Sequence, residues 1–246
     1  MSSDELDALW VLRHGQSLGN VANDRAREVP VDRLDIAERD MDVPLSALGE
    51  QQAAAFGAWL ATVEADERPD VVVASPYERA VQTARIVLDA AGLDVRLTHD
   101  ERLREREFGM LDLLTRQGIV AKHPEEADRR ARLGKFYYRP PGGESWVDVA
   151  LRLRSLRDSL VRQHAGRRVL LVTHEVPIII MRYLIEDLDE AASLALSASR
   201  RIANCSLTTY RPSDDGLTLD LDAWTAPLER RSTPVTDEPD AAVATR

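Results

Sequence analysis

Short runs of apolar residues alternate along this chain with longer segments in which apolar residues recur every three or four positions. Runs of the first kind predict β-strands, and segments of the second kind predict helices with one buried face. Their alternation is typical of an α/β fold with a largely parallel sheet. The predicted strands are residues 8–13, 70–75, 94–98, 168–174, 206–210 and 217–223. The first, second and fourth are continuous apolar runs, which predicts helices on both faces of the sheet and a three-layer α/β/α sandwich.

Three helices have ends that the sequence marks. Ser46 is predicted to cap a helix over residues 47–63. A second helix has apolar and small residues at helical spacing over residues 80–91, and Gly92 is expected to end it. The third is predicted to begin at an S-x-x-D capping pattern that starts at Ser145. Four arginines lie off the apolar stripe of this third helix and are expected to form a solvated face: Arg152, Arg154, Arg157 and Arg162.

Two segments lack the pattern of core elements. Residues 108–144 hold glycine, proline, several arginines and aromatic residues with little periodicity, so we expect a lid or substrate-binding insertion there. After Leu228, proline, charged and small residues dominate, and residues 229–246 are predicted to form a disordered tail. Residues 1–228 are then expected to form a single domain, with the insertion inside it.

Composition limits the classes of partner. The chain has 246 residues, 44% of them hydrophobic, a formal net charge of −10 and an isoelectric point near 5.1. This balance provides no long-range attraction to nucleic acid or to an anionic membrane, so clustered arginines must attract any anionic substrate locally. Cys205 is the only cysteine, which excludes an intrachain disulfide. No signal peptide or membrane-spanning run is recognisable, so we expect a cytoplasmic protein. No feature of the sequence indicates the oligomeric state.

The most informative residue is His14, in the run LRHGQSLGN at residues 12–20. With Arg13 it ends the first predicted strand, and open α/β sheets bind their ligands at the carboxyl ends of strands. Gly15 allows the backbone to turn sharply and to approach a ligand closely. An imidazole beside a guanidinium, followed by polar residues that include Asn20, suits a site that binds an anion.

Three further segments are expected at the same edge of the sheet. SPYERAVQTA follows the second strand and carries Arg79 in the first turns of a helix, whose N-terminus attracts anions. RLREREFG follows the third strand and carries Glu105 and Glu107, and LLVTHEVP ends the fourth strand at His174. If these strands are parallel, two imidazoles, two guanidiniums and a carboxylate meet at one edge.

Phosphoryl transfer needs such a set. A nucleophile attacks phosphorus in line, and fixed positive charges stabilise the charge that spreads over the equatorial oxygens. Arginine suits this task because its planar fork matches two phosphate oxygens and it stays ionised. A carboxylic acid can protonate the leaving alkoxide without a metal, so we expect neither a metal nor a cofactor.

RHGQSLGN, SPYERAVQTA, LREREFG and VTHE occur in this order, and the ordered set resembles the histidine phosphatase superfamily, also called phosphoglycerate mutase-like. The stretch KFYYRPPGGESWVDVALRLRS at residues 135–155 is also similar to segments of phosphatase-type members. The resemblance implies that His14 is the nucleophile that becomes phosphohistidine and that Glu105 is the general acid. It further implies that the substrate is bound by Arg13, Asn20, Arg79 and His174.

Some positions leave alternatives open. Glu107 lies on the same face as Glu105 in an extended segment, so spacing does not separate them, although the motif register favours Glu105. Gln16 stands where many members carry Glu, and Glu175 where many carry Gly. Asp40 forms a D-x-D pair with Asp42 and is expected to be solvated.

The predicted activity is metal-independent hydrolysis of a small phosphomonoester through a phosphohistidine. The alternative is a phosphoglycerate mutase, although the resemblance implies that such a mutase carries a long basic stretch, with paired Arg and Lys, after the glutamate motif. Here GMLDLLTRQGIVAKHPEEADRR follows, and it does not resemble that stretch. A third hypothesis, from a different functional class, is a non-catalytic regulatory protein with the same fold.

Overall fold

Six strands form one sheet in the part of the chain that a computed structural model describes, residues 5–199, 202–214 and 216–237. The strands are β1 (Ala8–Arg13), β2 (Val71–Ala74), β3 (Leu97–His99), β4 (Arg168–Thr173), β5 (Leu207–Ser213) and β6 (Gly216–Trp224). The helices described are α1 (Leu18–Glu28), α2 (Ala47–Leu60), α3 (Glu78–Ala91), α4 (Arg116–Lys122), α5 (Pro124–Tyr137), α6 (Trp146–His164), α7 (Glu175–Ile185), α8 (Glu190–Ser199) and α9 (Ala226–Glu229).

The strand order is β3-β2-β4-β1-β5-β6. The first four strands are parallel to one another, whereas β5 is antiparallel to β1 and β6 is antiparallel to β5. The mostly parallel sheet predicted from the alternating pattern is therefore confirmed. In the register of the two central strands, Arg13 is opposite Thr173, so β1 and β4 end side by side.

Helices cover both faces of the sheet, as the continuous apolar strands predicted. Leu9 and Val11 of β1 pack with apolar residues of α6 and α7. Trp10 and Leu12, which point to the other face, pack with α2 and α3. Among the described residues, no helix combines the length and the apolar character that crossing a membrane requires.

The predicted helix ends are confirmed at three places. The Ser46 hydroxyl accepts a hydrogen bond from the Gly49 N–H at 3.1 Å, although α2 ends three residues before the predicted boundary. Gly92 ends α3 in the left-handed conformation with φ +61°. Ser145 and Asp148 form a complete capping box at the start of α6.

One arginine of α6 corrects the prediction of a solvated face. Arg154, Arg157 and Arg162 are exposed, as expected. The Arg152 side chain is only 9% exposed and is ion-paired to Glu144, which precedes the helix. An arginine off the apolar stripe is buried here because a loop, rather than solvent, lies against that side of the helix.

The sequence did not mark several elements. α1 contains Gly19, Asn20 and Asn23, which are weak helix formers, and it begins at a capping box formed by Ser17 and Asn20. α7 contains Pro177 and a run of isoleucines, which favour strands over helices. β3 begins three residues later than predicted, because a short edge strand has little apolar pattern.

The insertion at residues 108–144 is more regular than its sequence indicated, because it contains α4 and α5. Its core is a small separate cluster of Leu111, Leu114, Ile119 and Tyr138. Thr115 caps α4, since its hydroxyl accepts a hydrogen bond from the Gly118 N–H at 3.1 Å. These two helices bury only two residues each, Gly118 and Ile119 in α4 and Glu126 and Phe136 in α5, which explains the weak periodicity.

The chain after Leu228 differs from the predicted disordered tail. Glu229 belongs to α9, and farther along the chain Pro234 and Thr236 contact the domain. The Asn204 N–H donates to the Thr236 carbonyl at 2.8 Å, and the Gln52 amide donates to the Pro234 carbonyl at 2.9 Å. The buried residues Asn204 and Gln52 thus bind this polar segment. The composition of the segment alone does not indicate this interaction. Residues 238–246 lie outside the described part of the chain.

Candidate active site

Two histidines meet at the carboxyl ends of the central strands. His14 follows Arg13 and His174 follows Thr173, and these two preceding residues are register partners. Both histidines are fully buried, and their ring centroids are 5.0 Å apart in an edge contact. The parallel register therefore brings together two side chains that are 160 positions apart in the sequence.

Hydrogen bonds fix the orientation of the His14 ring and indicate its tautomer. The His14 backbone N–H donates to the Thr173 carbonyl at 2.9 Å. Its ring Nδ1 lies 2.6 Å from the Gly15 carbonyl oxygen, which can only accept a hydrogen bond. Nδ1 of the neutral ring is therefore assigned the proton, and Nε2 then carries the lone pair that a nucleophile requires.

Gly15 is required by a close approach of backbone segments. A Cβ atom at this position would lie 2.5 Å from the carbonyl oxygen of Gly49 in α2. The Gly15 N–H donates to the Thr83 hydroxyl of α3 at 3.0 Å. Glycine thus lets the His14 loop pack directly against the first turn of α2.

Two buried arginines supply positive charge. Arg13 is fully buried, and its guanidinium donates to the Ile202 carbonyl. Arg79, in the first turn of α3, is 2% exposed. Its guanidinium lies over the Tyr77 ring, 5.0 Å from the centroid. A fixed guanidinium of this kind offers a planar set of donors to a phosphoryl group.

Asp40 was expected to be solvated, and the structure corrects this. Arg79 Nη1 donates to the Asp40 carbonyl at 2.6 Å and lies 3.1 Å from the Asp40 carboxylate Oδ1. Asp42, the other member of the D-x-D pair, instead pairs with the exposed Arg39. No local pattern marks this difference, because Arg79 lies far along the chain.

His174 is bound to the end of β2. Its Nε2 lies 2.8 Å from the Ser75 hydroxyl, and its ring contacts Tyr77 at a centroid distance of 5.2 Å. Burial raises the pKa of the Tyr77 phenol, and the carboxylates of Asp40 and Glu107 act in the same direction. The sequence analysis did not name Ser75 and Tyr77 as site residues. Both belong to the SPYERAVQTA motif, so their position close to Arg79 in the sequence could have indicated them.

Glu105 reaches the segment that carries His174. This glutamate is 2% exposed. Its Oε1 accepts a hydrogen bond from the Arg106 N–H at 2.6 Å, and its Oε2 lies 3.5 Å from the Val176 N–H in the first turn of α7. Glu107 is half-buried and accepts from the Gly109 N–H at 3.2 Å. Of the two glutamates, Glu105 is thus the one bonded to the residues next to His174.

Asn20 links the first motif to a buried amide. Its Oδ1 accepts from the Ser17 N–H at 2.9 Å within the capping box of α1, and from the Asn204 amide at 3.3 Å. The same Asn204 amide donates to the His14 carbonyl at 3.2 Å. Gln16 keeps a polar contact, because its Oε1 accepts from the Ser46 hydroxyl at 2.8 Å.

The surroundings of the site carry both signs of charge. Burial raises the pKa of Asp112 in the insertion to about 6, and the nearby carboxylates of Asp40 and Glu107 raise it further. Burial lowers the pKa of Lys135 to about 8, although Glu175 opposes this effect. The insertion therefore contains a carboxyl group whose pKa is raised toward neutral pH and an amine whose pKa is lowered toward it. Among the described residues, no group of three or more His, Cys, Asp or Glu side chains forms a metal-binding set.

Comparisons with known proteins agree with this geometry. A family model described as the histidine phosphatase superfamily (branch 1) matches residues 9–225. The 2,3-bisphosphoglycerate-dependent phosphoglycerate mutase 2 of Gloeobacter violaceus is 36% identical over 169 residues, which are 68% of this chain and 69% of the relative.

Solved structures resemble the fold closely. The structure of a mycobacterial glucosyl-3-phosphoglycerate phosphatase with inorganic phosphate is 31% identical, has a TM-score of 0.65 and covers 89% of this chain and 97% of its own. The structure of Bacillus stearothermophilus YhfR is 26% identical, has a TM-score of 0.71 and covers 90% of this chain and 98% of its own.

Proposed function

The chain belongs to the histidine phosphatase superfamily, branch 1, and from this we propose that it hydrolyses small phosphomonoesters through a phosphohistidine on His14. The observation that carries the proposal is the contact between two fully buried imidazoles, His14 and His174, at 5.0 Å. Arg13 and Arg79 add two buried guanidiniums near this pair. Such a pocket binds a dianion through local positive charge despite the negative net charge of the chain.

In the first step, the lone pair of His14 Nε2 attacks phosphorus and the ester P–O bond breaks. Arg13, Arg79 and His174 donate hydrogen bonds to the equatorial oxygens, where negative charge is spread in the transition state. The Glu105 carboxylic acid gives its proton to the leaving oxygen, which departs as an alcohol. His14 is left as phosphohistidine and Glu105 as a carboxylate.

In the second step, the Glu105 carboxylate takes a proton from a water molecule, and the resulting hydroxide attacks phosphorus. The P–N bond breaks, and its electron pair returns to Nε2. Inorganic phosphate leaves, and both residues regain their starting protonation. The covalent intermediate divides one difficult displacement into two easier ones. Positive charge comes from side chains throughout, so we propose that no metal ion takes part.

The names of two relatives support a proposal for the substrate class. One is named a phosphoglycerate mutase and another a glucosyl-3-phosphoglycerate phosphatase. We therefore propose a small phosphorylated metabolite, with phosphoglycerate derivatives as the first to test. The mutase name also supports a second candidate function, transfer of the phosphoryl group between positions of a phosphoglycerate.

The test is an assay of the purified chain and its His14→Ala variant on a panel of phosphomonoesters, with EDTA present. The panel includes 3-phosphoglycerate with its bisphosphate primer. Release of phosphate by the parent and none by His14→Ala is expected, with acid-labile phosphate trapped on the parent protein alone. His164→Ala, which changes a histidine at the end of α6, is the matched control and should stay active.

Other outcomes decide between the alternatives. Isomerisation of 3-phosphoglycerate without phosphate release would establish the mutase. Loss of activity in EDTA that a divalent metal restores would overturn the metal-free mechanism. No turnover and no trapped phosphate on any panel member would favour a regulatory protein.

A further inference from the structure

Arg152 and Glu144 form a largely buried ion pair against the loop that carries Glu105. Arg152 Nε lies 3.0 Å from Glu144 Oε1, and Arg152 Nη2 lies 3.1 Å from Glu144 Oε2. The two side chains are 9% and 13% exposed. This is the two-point geometry in which a guanidinium and a carboxylate bind most strongly and with a defined orientation.

The same guanidinium holds the backbone of the loop. Arg152 Nη1 donates to the Arg102 carbonyl, and Nη2 donates to the carbonyl of Glu105 itself at 3.2 Å. Arg152 thereby contacts the loop at the acidic residue and three positions before it. Lysine could not reproduce this set, because an ammonium group lacks the planar fork that spans several acceptors.

The carboxylate holds the loop from the other side. Glu144 accepts from the Arg104 guanidinium at 2.7 Å and from the Glu107 N–H at 3.1 Å. Its own backbone N–H donates to the Glu107 carbonyl at 2.9 Å, and its carbonyl accepts from Arg106 Nε at 2.6 Å. Every residue from 104 to 107 therefore has a bond to Arg152 or Glu144.

We propose that Arg152 and Glu144 are positioning residues that set the place of the Glu105 carboxyl group relative to the leaving oxygen. The inference rests on the proposed role of Glu105 as the general acid. Neither residue is proposed to touch the substrate. Their effect is on proton transfer, which requires the acid within hydrogen-bond distance of the leaving oxygen.

A positioning role has a signature that a purely structural role lacks. An alkyl phosphate needs a proton on its leaving oxygen, whereas p-nitrophenyl phosphate hardly does. We expect Arg152→Lys and Glu144→Gln each to lower kcat/KM on an alkyl phosphate by about 10- to 100-fold, because displacement of a catalytic group by about 1 Å has effects of this size. On p-nitrophenyl phosphate, the loss of kcat/KM should be less than about threefold, because kcat/KM does not include the later hydrolysis of phosphohistidine, in which Glu105 acts on every substrate alike.

The phosphate pocket should be unaffected by these changes. Arg13, Arg79 and His174 make no contact with the ion pair in the bonds described above, so the inhibition constant of orthovanadate should stay at the parent value. Arg154→Lys, an exposed change on the same helix, is the matched control and should leave every value unchanged.

The Glu105→Gln variant distinguishes failure of the proposed acid role of Glu105 from failure of the positioning role of Arg152 and Glu144. If Glu105→Gln itself lowers kcat/KM equally for both esters, the assignment of the acid fails. Suppose instead that Glu105→Gln lowers kcat/KM for the alkyl phosphate alone. The positioning inference is then overturned if Arg152→Lys and Glu144→Gln lower kcat/KM equally for the two esters, or for neither ester. Arg152→Lys and Glu144→Gln are independent variants, and Arg152→Lys keeps the charge. If the melting temperature shows that one of them misfolds, the other one still tests the inference.

Discussion

Asp40 binds the guanidinium of Arg79 through both its backbone carbonyl and its carboxylate, at 2.6 Å and 3.1 Å from Nη1. A negative charge therefore lies directly beside a group proposed to bind phosphate. The backbone bond orients the guanidinium, whereas the carboxylate also reduces its effective charge. These two effects can be separated by substitution.

Asp40→Asn should lower the KM for a phosphomonoester, and the inhibition constant of orthovanadate, by about fivefold, or about 1 kcal/mol, at low ionic strength. The variant keeps the backbone carbonyl that orients Arg79 and removes only the charge that repels a dianion. Steady-state kinetics measure the effect. Asp42→Asn is the control, because Asp42 pairs with the exposed Arg39 instead. A higher KM in Asp40→Asn would show that the carboxylate itself orients the arginine.

Gly15→Ala should abolish activity and lower the melting temperature. The added Cβ would lie 2.5 Å from the Gly49 carbonyl oxygen, so the loop that carries His14 must move. Gly92→Ala is the matched control, since its Cβ would meet nothing within 4 Å but its φ is +61°. That variant should lose about 1 kcal/mol of stability and keep its kcat. Full activity of Gly15→Ala would contradict the tight packing of the two segments.

Asp112→Asn should stabilise the protein above pH 6 but not near pH 4. The folded state raises the pKa of Asp112 to about 6, chiefly by burial, so it binds this proton more tightly than the unfolded chain does. The parent protein therefore loses stability as the pH rises from the unfolded pKa to the folded one. Asparagine does not ionise and keeps an acceptor for the Leu113 N–H, which lies 3.0 Å from Oδ1.

Melting temperatures of both proteins between pH 4 and pH 8 measure this effect. The difference between Asp112→Asn and the parent should open through the range from about pH 4 to pH 6 and stay constant above it. A constant difference across the whole range would mean that Asp112 does not titrate in it.

Thr236→Val should reduce both stability and activity. The Thr236 hydroxyl donates to Asn204 Oδ1 at 3.0 Å and accepts from the Gln52 amide at 2.9 Å. Its loss leaves the buried Asn204 Oδ1 without a donor and removes one of the two bonds that the Gln52 amide donates, which costs about 2 kcal/mol. Because the Asn204 amide also donates to the His14 carbonyl, kcat should fall as well. Thr233→Val, in the same segment, is the control, and equal effects of both changes would contradict the argument.

Much of the site was visible in the sequence, because the responsible signals are local. An apolar run that ends at Arg13 and His14 indicates a strand with polar side chains at its carboxyl end. The repeat of this pattern at His174 places a second imidazole at the same edge, provided that the strands are parallel. Caps such as Ser46 were equally clear, since a cap and its partner lie within one turn.

The sequence by itself therefore determined the α/β class, the two-sided burial of the central strands and the set of residues at the sheet edge. Tertiary structure alone decided that β1 and β4 are neighbours and that Asp40 pairs with Arg79. It also decided that Arg152 is buried against Glu144 rather than solvated. The physical reason is that an ion pair or a strand register depends on which distant segments pack together. The hydrophobic period of a single element indicates only that one face of that element is buried.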